Sequence, residues 1–141
     1  MEFFHSVLDT KVIVQLISER TSEEEKRLLL SILEKSKKVT MTPHVFSETS
    51  YFIERDLGWE KLKAKTVFQK LVRLSETYVE KNSILGHKGL DKFGTVDTSI
   101  LILLKAEGPA ATLISYDWDL VKWCRKNGLS AIHPHQLLYN F

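Results

Sequence analysis

Residues 111–119 are Ala-Thr-Leu-Ile-Ser-Tyr-Asp-Trp-Asp, an aliphatic and β-branched run that ends in two carboxylates. This pattern predicts a buried strand over residues 111–116, with acidic groups where the strand stops. Other β-prone stretches occur along the chain, at residues 3–8, 38–42, 77–80 and 130–133. One or two helical segments separate successive strands, which implies crossover connections. The sequence therefore predicts a three-layer α/β/α sandwich with a mostly parallel five-stranded sheet.

The segments between these strands have helical periodicity. Ser22 and Glu25 form a capping-box pattern, and Pro43 suits the first position of a helix, where its missing N–H costs nothing. Residues 81–94 contain three glycines and no clean period, which predicts a loop with some helical turns. The predicted helices cover residues 9–17, 22–37, 43–56, 60–74, 97–107 and 118–127.

Composition bounds the class of protein. The chain has 141 residues, of which 43% are hydrophobic and 27% charged, and it contains neither a linker nor a repeat, so we expect one globular domain over residues 1–141. The single cysteine, Cys124, cannot form an internal disulfide, which favours a reducing compartment. The longest aliphatic run, residues 100–104, is far too short to span a membrane. We therefore expect a cytoplasmic protein that is not bound to a membrane.

Five carboxylates are predicted to meet at one edge of the sheet. In an open parallel sheet, ligands bind beyond the carboxyl ends of the strands. The acidic residues predicted to lie at that edge are Asp9, Glu48, Asp97, Asp117 and Asp119. Any single aspartate among them could merely cap a helix or complement its dipole. Glu48 is harder to explain in this way, because it shares an apolar helix stripe with Val45 and Phe52.

A divalent cation is the natural partner of such a cluster. No Lys or Arg is placed at these strand ends to neutralise the acids, and clustered carboxylates repel one another. Because no His or Cys accompanies them, Mg²⁺ or Mn²⁺ is favoured over Zn²⁺. Metal sites of this kind catalyse phosphate chemistry well.

Four ordered motifs carry a family resemblance. They are Val7-Leu8-Asp9-Thr10, Thr42-Pro43 followed by Glu48, Val96-Asp97-Thr98, and residues 113–119. Together they resemble a PIN domain, and the resemblance extends through residues 128–132, over essentially the whole chain. In its size, with no appended domain, the chain is most similar to the small VapC-type toxins. Residues 82–93 match nothing in the family pattern, and Ile100, Leu101, Leu103 and Leu104 stand where small alanines are usual.

The resemblance implies a divalent-metal-dependent endoribonuclease that leaves a 5′-phosphate and a 3′-hydroxyl. It assigns catalytic positions to Asp9, Glu48, Asp97 and Asp117, and these acids would also hold Mg²⁺ or Mn²⁺, with Asp119 as an accessory ligand. Glu48 would serve as a ligand or as the base that orients the attacking water. Thr10 and Ser115 match the supporting hydroxyl positions, where they would hold carboxylates or a phosphate oxygen.

Several other residues are candidates for contact with RNA. His87, Lys88 and Lys92 precede Asp97 in the chain, and basic side chains there would suit an RNA backbone. Trp118 could stack a base, although packing at a helix start is the simpler use. The basic runs at residues 35–38, 61–65 and 122–126 are typical of solvated helix faces. The histidines of His133-Pro134-His135 lack a third ligand for zinc.

One helix face and the family resemblance both indicate partner proteins. The helix over residues 28–33 has an apolar face wider than one core contact needs, so part of it could meet another chain. The resemblance to VapC-type toxins implies a homodimer that a small antitoxin silences. The alternatives are a PIN-domain nuclease of ribosomal RNA processing and a non-catalytic PIN-like module that binds RNA or protein. A receiver-like phosphorylation domain is disfavoured, because Thr10 and Lys11 follow Asp9 where a second acid would be required.

The net charge of +2 conceals an uneven distribution. If five of the 18 acids gather at one site, the remainder carries 20 basic against 13 acidic residues, a charge of +7. A basic surface around an acidic pocket is the arrangement that attracts a polyanion to a metal-dependent nuclease.

Overall fold

A four-stranded parallel sheet forms the centre of the part of the chain that the structure describes. The structure is a computed structural model, and it describes residues 3–58, 66, 69–70 and 79–138. In the order β2-β1-β3-β4, the sheet contains the strands β1 (Phe3–Leu8), β2 (Ser36–Thr40), β3 (Ala111–Ile114) and β4 (Ser130–Ile132). Val7 of the central strand β1 pairs with Thr40 on one side and with Leu113 on the other. The predicted α/β class with a parallel sheet is confirmed.

The predicted count of five strands is not confirmed. Residues 77 and 78 of the expected strand at 77–80 lie outside the described residues, and Val79 and Glu80 are not in a strand. The strand predicted at 38–42 begins earlier, at Ser36, because α2 (Glu23–Glu34) stops at Glu34 and not at residue 37. The Ser36 hydroxyl donates to the carbonyl of Ile32 at 2.6 Å, which satisfies one of the last carbonyls of that helix.

Four of the described helices begin at side chains that cap them. Ser22 accepts from the backbone N–H of Glu25, and Thr42 accepts from that of Val45 directly before Pro43. The predicted helix over residues 60–74 falls almost wholly outside the described residues. Besides α2, the described helices are α1 (Thr10–Ile17), α3 (Pro43–Phe52), α4 (Lys81–Leu85), α5 (Leu90–Glu107) and α6 (Trp118–Lys126), with a π-helical turn at Ile53–Leu57 and 3₁₀ turns at Gly108–Ala110 and Pro134–Leu137.

Helices cover both faces of the sheet. Val7 and Leu8 are consecutive residues of β1 and therefore point to opposite faces, yet both are fully buried. The same is true of Leu113 and Ile114 in β3. Continuous apolar strands of this kind are typical of parallel sheets packed between two helical layers.

Helix α5 contains a kink at Gly94. This residue has φ 80° and ψ −177°, a conformation that is essentially restricted to glycine. The kink separates a first turn at residues 90–93 from the long helical part that carries Asp97. The sequence predicts only the second part, since the first lies in the segment that lacks a clean period. None of the described helices is both long and apolar enough to cross a membrane.

Candidate active site

A cavity of about 760 Å³ lies at the carboxyl ends of β1 and β3. Of the five predicted acids, the structure brings four into its lining: Asp9, Glu48, Asp97 and Asp117. They come from four different elements, since Asp9 follows β1, Glu48 lies on α3, Asp97 on α5, and Asp117 follows β3. Asp119 does not line the cavity; it is exposed in the first turn of α6.

Ser115 links the two acids that follow β1 and β3. Its hydroxyl donates to Asp9 Oδ2 at 2.6 Å and accepts from the backbone N–H of Asp117 at 3.0 Å. Asp9 Oδ1 accepts from the N–H of Thr10 at 2.8 Å, so Asp9 also caps α1. Each oxygen of this buried carboxylate therefore has a donor, and its orientation is fixed.

Asp117 is held through one oxygen only. Its Oδ1 accepts from the N–H groups of Asp119 and Leu120, at 3.0 and 3.2 Å, and so caps α6. Its Oδ2 makes no hydrogen bond with another described residue. Helix capping and ligand binding are therefore compatible uses of this exposed carboxylate.

Burial and the neighbouring acids raise the pKa values of Asp97 and Asp9. Burial raises the pKa of Asp97 to about 7, and the negative charges of Asp9, Asp117 and Glu48 contribute to this rise. Burial also raises the pKa of Asp9, against the hydrogen bonds from Ser115 and Thr10, which favour its charged form. The cavity thus concentrates negative charge.

Positive groups do not neutralise this charge at contact distance. Among the described residues, none of the four carboxylates forms an ion pair within 4.0 Å. The sequence predicts no cation at the strand ends, but Lys11 lines the cavity in the structure. Its Nζ lies 5.6 Å from the ring centroid of Tyr116, over the aromatic face.

The side chains that line the cavity have the ligand chemistry that a hard divalent cation requires. Carboxylate oxygens without a protein counter-ion are the donor set that Mg²⁺ and Mn²⁺ prefer. Thr10 supplies a second observation, because its buried Oγ1 has no hydrogen-bond partner in the described part of the chain while the residue lines the cavity. The donors do not form a closed cage, since no three His, Cys, Asp or Glu side chains among the described residues are arranged to hold a metal ion.

The candidate RNA-contacting residues lie elsewhere. His87 and Lys88 line a separate cavity, which also includes Gly108 and Ser130 at the amino ends of β3 and β4. Lys88 Nζ donates to Asn127 Oδ1 at 3.3 Å and lies over the ring of Trp123. Lys92 is exposed, with its Nζ 5.2 Å from the ring centroid of Phe93, a residue of the acidic cavity. Of these three, only Lys92 is adjacent in sequence to a cavity residue.

Trp118 packs against His133. The two rings are stacked, with centroids 4.2 Å apart and planes within 10° of each other. The indole is nevertheless 42% exposed. The packing role expected for Trp118 is therefore present and leaves a large part of the ring accessible.

The structure contains a polar cluster next to the cavity that the sequence did not predict. Glu25 of α2 accepts a hydrogen bond from the hydroxyl of Tyr116, a cavity residue, and lies 2.9 Å from His135 Nε2. A zinc site at His133 and His135 is not formed by the described residues, because His135 faces Glu25 and His133 Nδ1 accepts from the N–H of His135. The only sequence signal for this cluster is that both histidines follow the last strand.

Cys124 is buried and free, as expected for a small hydrophobic core residue. Burial, together with the charges of Asp97 and Asp9, raises the pKa of its thiol to about 12. The thiol is therefore protonated and unreactive at neutral pH.

Comparison with known proteins agrees with the fold. A search of curated proteins finds no match. The family model described as "PIN domain" matches residues 6–86, which is more than half of the 141 residues. The matched range includes Asp9 and Glu48, whereas Asp97 and Asp117 lie beyond it. PIN domains are generally nucleases and generally use divalent metals. The chain belongs to the PIN-domain family.

Proposed function

We propose that the chain is a Mg²⁺- or Mn²⁺-dependent endoribonuclease that hydrolyses RNA to products with a 5′-phosphate and a 3′-hydroxyl. The observation that carries this proposal is the meeting of Asp9, Glu48, Asp97 and Asp117 in one cavity without an ion-paired cation among the described residues. An uncompensated carboxylate cluster costs stability, and a divalent ion that shares its oxygens removes that cost. The PIN-domain match supports the same reaction class.

Asp9, Asp97 and Asp117 would hold the divalent ion, either directly or through water molecules. Ser115 fixes the orientation of Asp9, and the unbonded Oδ2 of Asp117 is open to a ligand. When bound, the ion supplies Lewis acidity and neutralises charge on a phosphate oxygen. Asp119, expected as an accessory ligand, would act only through the capping contact of its N–H with Asp117.

Glu48 would orient the attacking water. It is half-buried on α3 and makes no ion pair or hydrogen bond with another described residue, so its oxygens are free to accept a proton from that water. Thr10 would donate its unpartnered hydroxyl to a phosphate oxygen of the substrate. These two residues line the cavity from different elements, α3 and α1.

The biological role that we propose is the toxin of a VapBC-type pair, acting as a homodimer and silenced by a small antitoxin. An exposed apolar group on α2 supports a partner surface, since Leu30 is 49% exposed next to the buried Leu29. A short antitoxin-like reading frame directly upstream in the genome, and a product that co-purifies with the chain, are the expected results. Their absence would favour ribosomal RNA processing.

Cleavage of RNA tests the proposal directly. Purified protein is incubated with structured and unstructured RNAs in Mn²⁺, in Mg²⁺ and in chelator. We expect cleavage only with metal, and none by Asp97→Asn. Asp91→Asn is the matched control, because Asp91 is an exposed acid on the same helix that does not line the cavity. Cleavage by Asp97→Asn at the wild-type rate would remove the catalytic assignment, and binding without cleavage by the wild type would support the non-catalytic module.

A further inference from the structure

One face of α6 presents an aromatic ring followed by two cations. Trp118, Lys122 and Lys126 are four residues apart and therefore lie along one side of the helix, at steps of about 6 Å. All three are exposed. The stripe begins beside the acidic cavity, because Trp118 directly follows Asp117, which lines it.

The Trp118 ring is held in place from behind. His133, which is only 5% exposed, stacks on one face of the indole. His133 is itself fixed at two points. Its ring Nδ1 accepts from the N–H of His135 at 3.1 Å, and its backbone N–H donates to Gln136 Oε1 at 3.0 Å. An aromatic ring supported on one face and 42% exposed is a pre-ordered stacking surface.

The two lysines are free to bind anions, unlike the arginine on the same helix. Arg125 donates to the carbonyl of Ala131 and to Gln136 Oε1, so its guanidinium is used within the fold. Lys122 and Lys126 form no hydrogen bond or ion pair with any residue that the structure describes. Their charges are therefore unpaired in the described part of the protein.

We propose that this stripe is a track for single-stranded RNA, in which Trp118 stacks one unpaired base and Lys122 and Lys126 bind the phosphates that lead away from the cavity. The inference rests on the proposed ribonuclease function and adds to it the residues of α6 that would guide the strand away from the cavity. Inside a duplex both faces of a base are covered by the stacked neighbouring base pairs, whereas a base in a flexible single strand can turn one face to the indole. The track therefore selects single strands without selecting sequence. Steps of about 6 Å along the helix are similar to the separation of successive phosphates in an extended strand.

A double-mutant cycle tests the stacking. The probe is a labelled single-stranded oligouridine in chelator, and the comparison strand is a ribose-phosphate oligomer of the same length without bases. Trp118→Ala is expected to weaken binding of oligouridine by about 5- to 150-fold and to leave binding of the abasic strand unchanged. Trp118→Phe is expected to retain most of the affinity.

Phe4→Ala is the matched control. Phe4 is also an exposed aromatic residue, but it lies at the amino end of β1, away from the cavity. The control variant is expected to bind both strands like the wild type.

Salt dependence tests the lysines. For single strands, each neutralised phosphate contributes about 0.7 to the slope of log K against log salt concentration. Lys122→Ala and Lys126→Ala are each expected to reduce the slope by about this amount. Lys35→Ala should not, because Lys35 is an exposed lysine that precedes β2 at the opposite edge of the sheet.

These outcomes distinguish a failure of the proposed RNA track from a failure of the proposed ribonuclease function. A wild type that neither binds nor cleaves single-stranded RNA overturns both proposals. If the wild type cleaves RNA but the Trp118 and lysine variants bind both strands as tightly as the wild type, only the track is overturned. Equal losses on the abasic strand and on oligouridine also overturn it, since they indicate a structural role for Trp118. If Trp118→Ala does not fold in a thermal melt, Trp118→Phe and the two lysine variants decide the question.

Discussion

Replacing Asp97 by asparagine is expected to stabilise the metal-free protein while abolishing its activity. Burial, and to a smaller extent the neighbouring carboxylates, raises the pKa of Asp97 from 3.8 to about 7, so ionising it in the folded state is unfavourable. A change of this size corresponds to about 4 kcal/mol of lost folding free energy above pH 7. The carboxyl is partly open to water in the cavity, and solvent screening reduces this figure. We therefore expect a gain of about 1–2 kcal/mol for the asparagine variant.

The stability difference between the two proteins is expected to depend on pH. Between pH 3.8 and about 7 the folded state binds more protons than the unfolded state, so metal-free wild type loses stability as the pH rises through this window. The asparagine variant lacks the part of this loss that is due to Asp97. At pH 8 the variant should melt about 3–8 °C above the wild type, and near pH 4 the two should converge.

Thermal and urea unfolding in chelator, at pH 4, 6 and 8, measure the difference. Asp91→Asn, an exposed acid on the same helix, should match the wild type at each pH. Added Mn²⁺ should stabilise the wild type more than Asp97→Asn, because it binds the folded state. The reasoning would be refuted if Asp97→Asn were no more stable than the wild type at pH 8. It would also be refuted if the stability difference between the two proteins were the same at every pH.

Three other substitutions probe the surroundings of the cavity. Ser115→Ala leaves Asp9 Oδ2 without its donor, so Mn²⁺ affinity in a titration should fall about 10- to 100-fold; an unchanged affinity would contradict the orienting role. Tyr116→Phe removes the hydrogen bond to Glu25 and should lower the free energy of unfolding in urea by about 1 kcal/mol, and no loss would show that the contact contributes nothing. Gly94→Ala should cost about 1–3 kcal/mol in a thermal melt because φ is 80°, whereas Gly86→Ala, at φ −89°, should cost less. Equal costs at the two glycines would argue against backbone strain.

The sequence was sufficient to predict the sheet edge at which the acids meet. Asp9 and Asp117 directly follow apolar strands, and parallel strands all end at the same edge, so their proximity follows from the pattern of residues alone. Glu48 was predicted there because a carboxylate on an apolar helix stripe must face something polar. The structure places all three in one cavity.

Side-chain contacts between distant elements could not be predicted. Periodicity reports which face of a helix is buried, but not which residue of another element lies against it. Glu25 meets Tyr116 and His135, residues that are about a hundred positions away in the chain, and nothing local in α2 indicates this. The stacking of Trp118 on His133 likewise depends on how the segment after β4 returns to the sheet edge.

The positions of His87 and Lys88 show the same limit for a segment without periodicity. Their closeness in sequence to Asp97 suggested closeness to the site. In the structure, they lie against Trp123 and line a cavity with Lys105, near the end of α5 that is farther along the chain from Asp97. Sequence distance is a poor guide to spatial distance when a glycine kink intervenes.

The hydrogen bond from Ser115 to Asp9 joins residues that are 106 positions apart. Until the ribosome has made β3 and this strand has paired with β1, the chain holds Asp9 without its donor and lacks Asp117 altogether. The proposed active site is therefore incomplete through most of the chain's own translation. It can be completed only after residues 111–117 have been made and β3 has paired with β1.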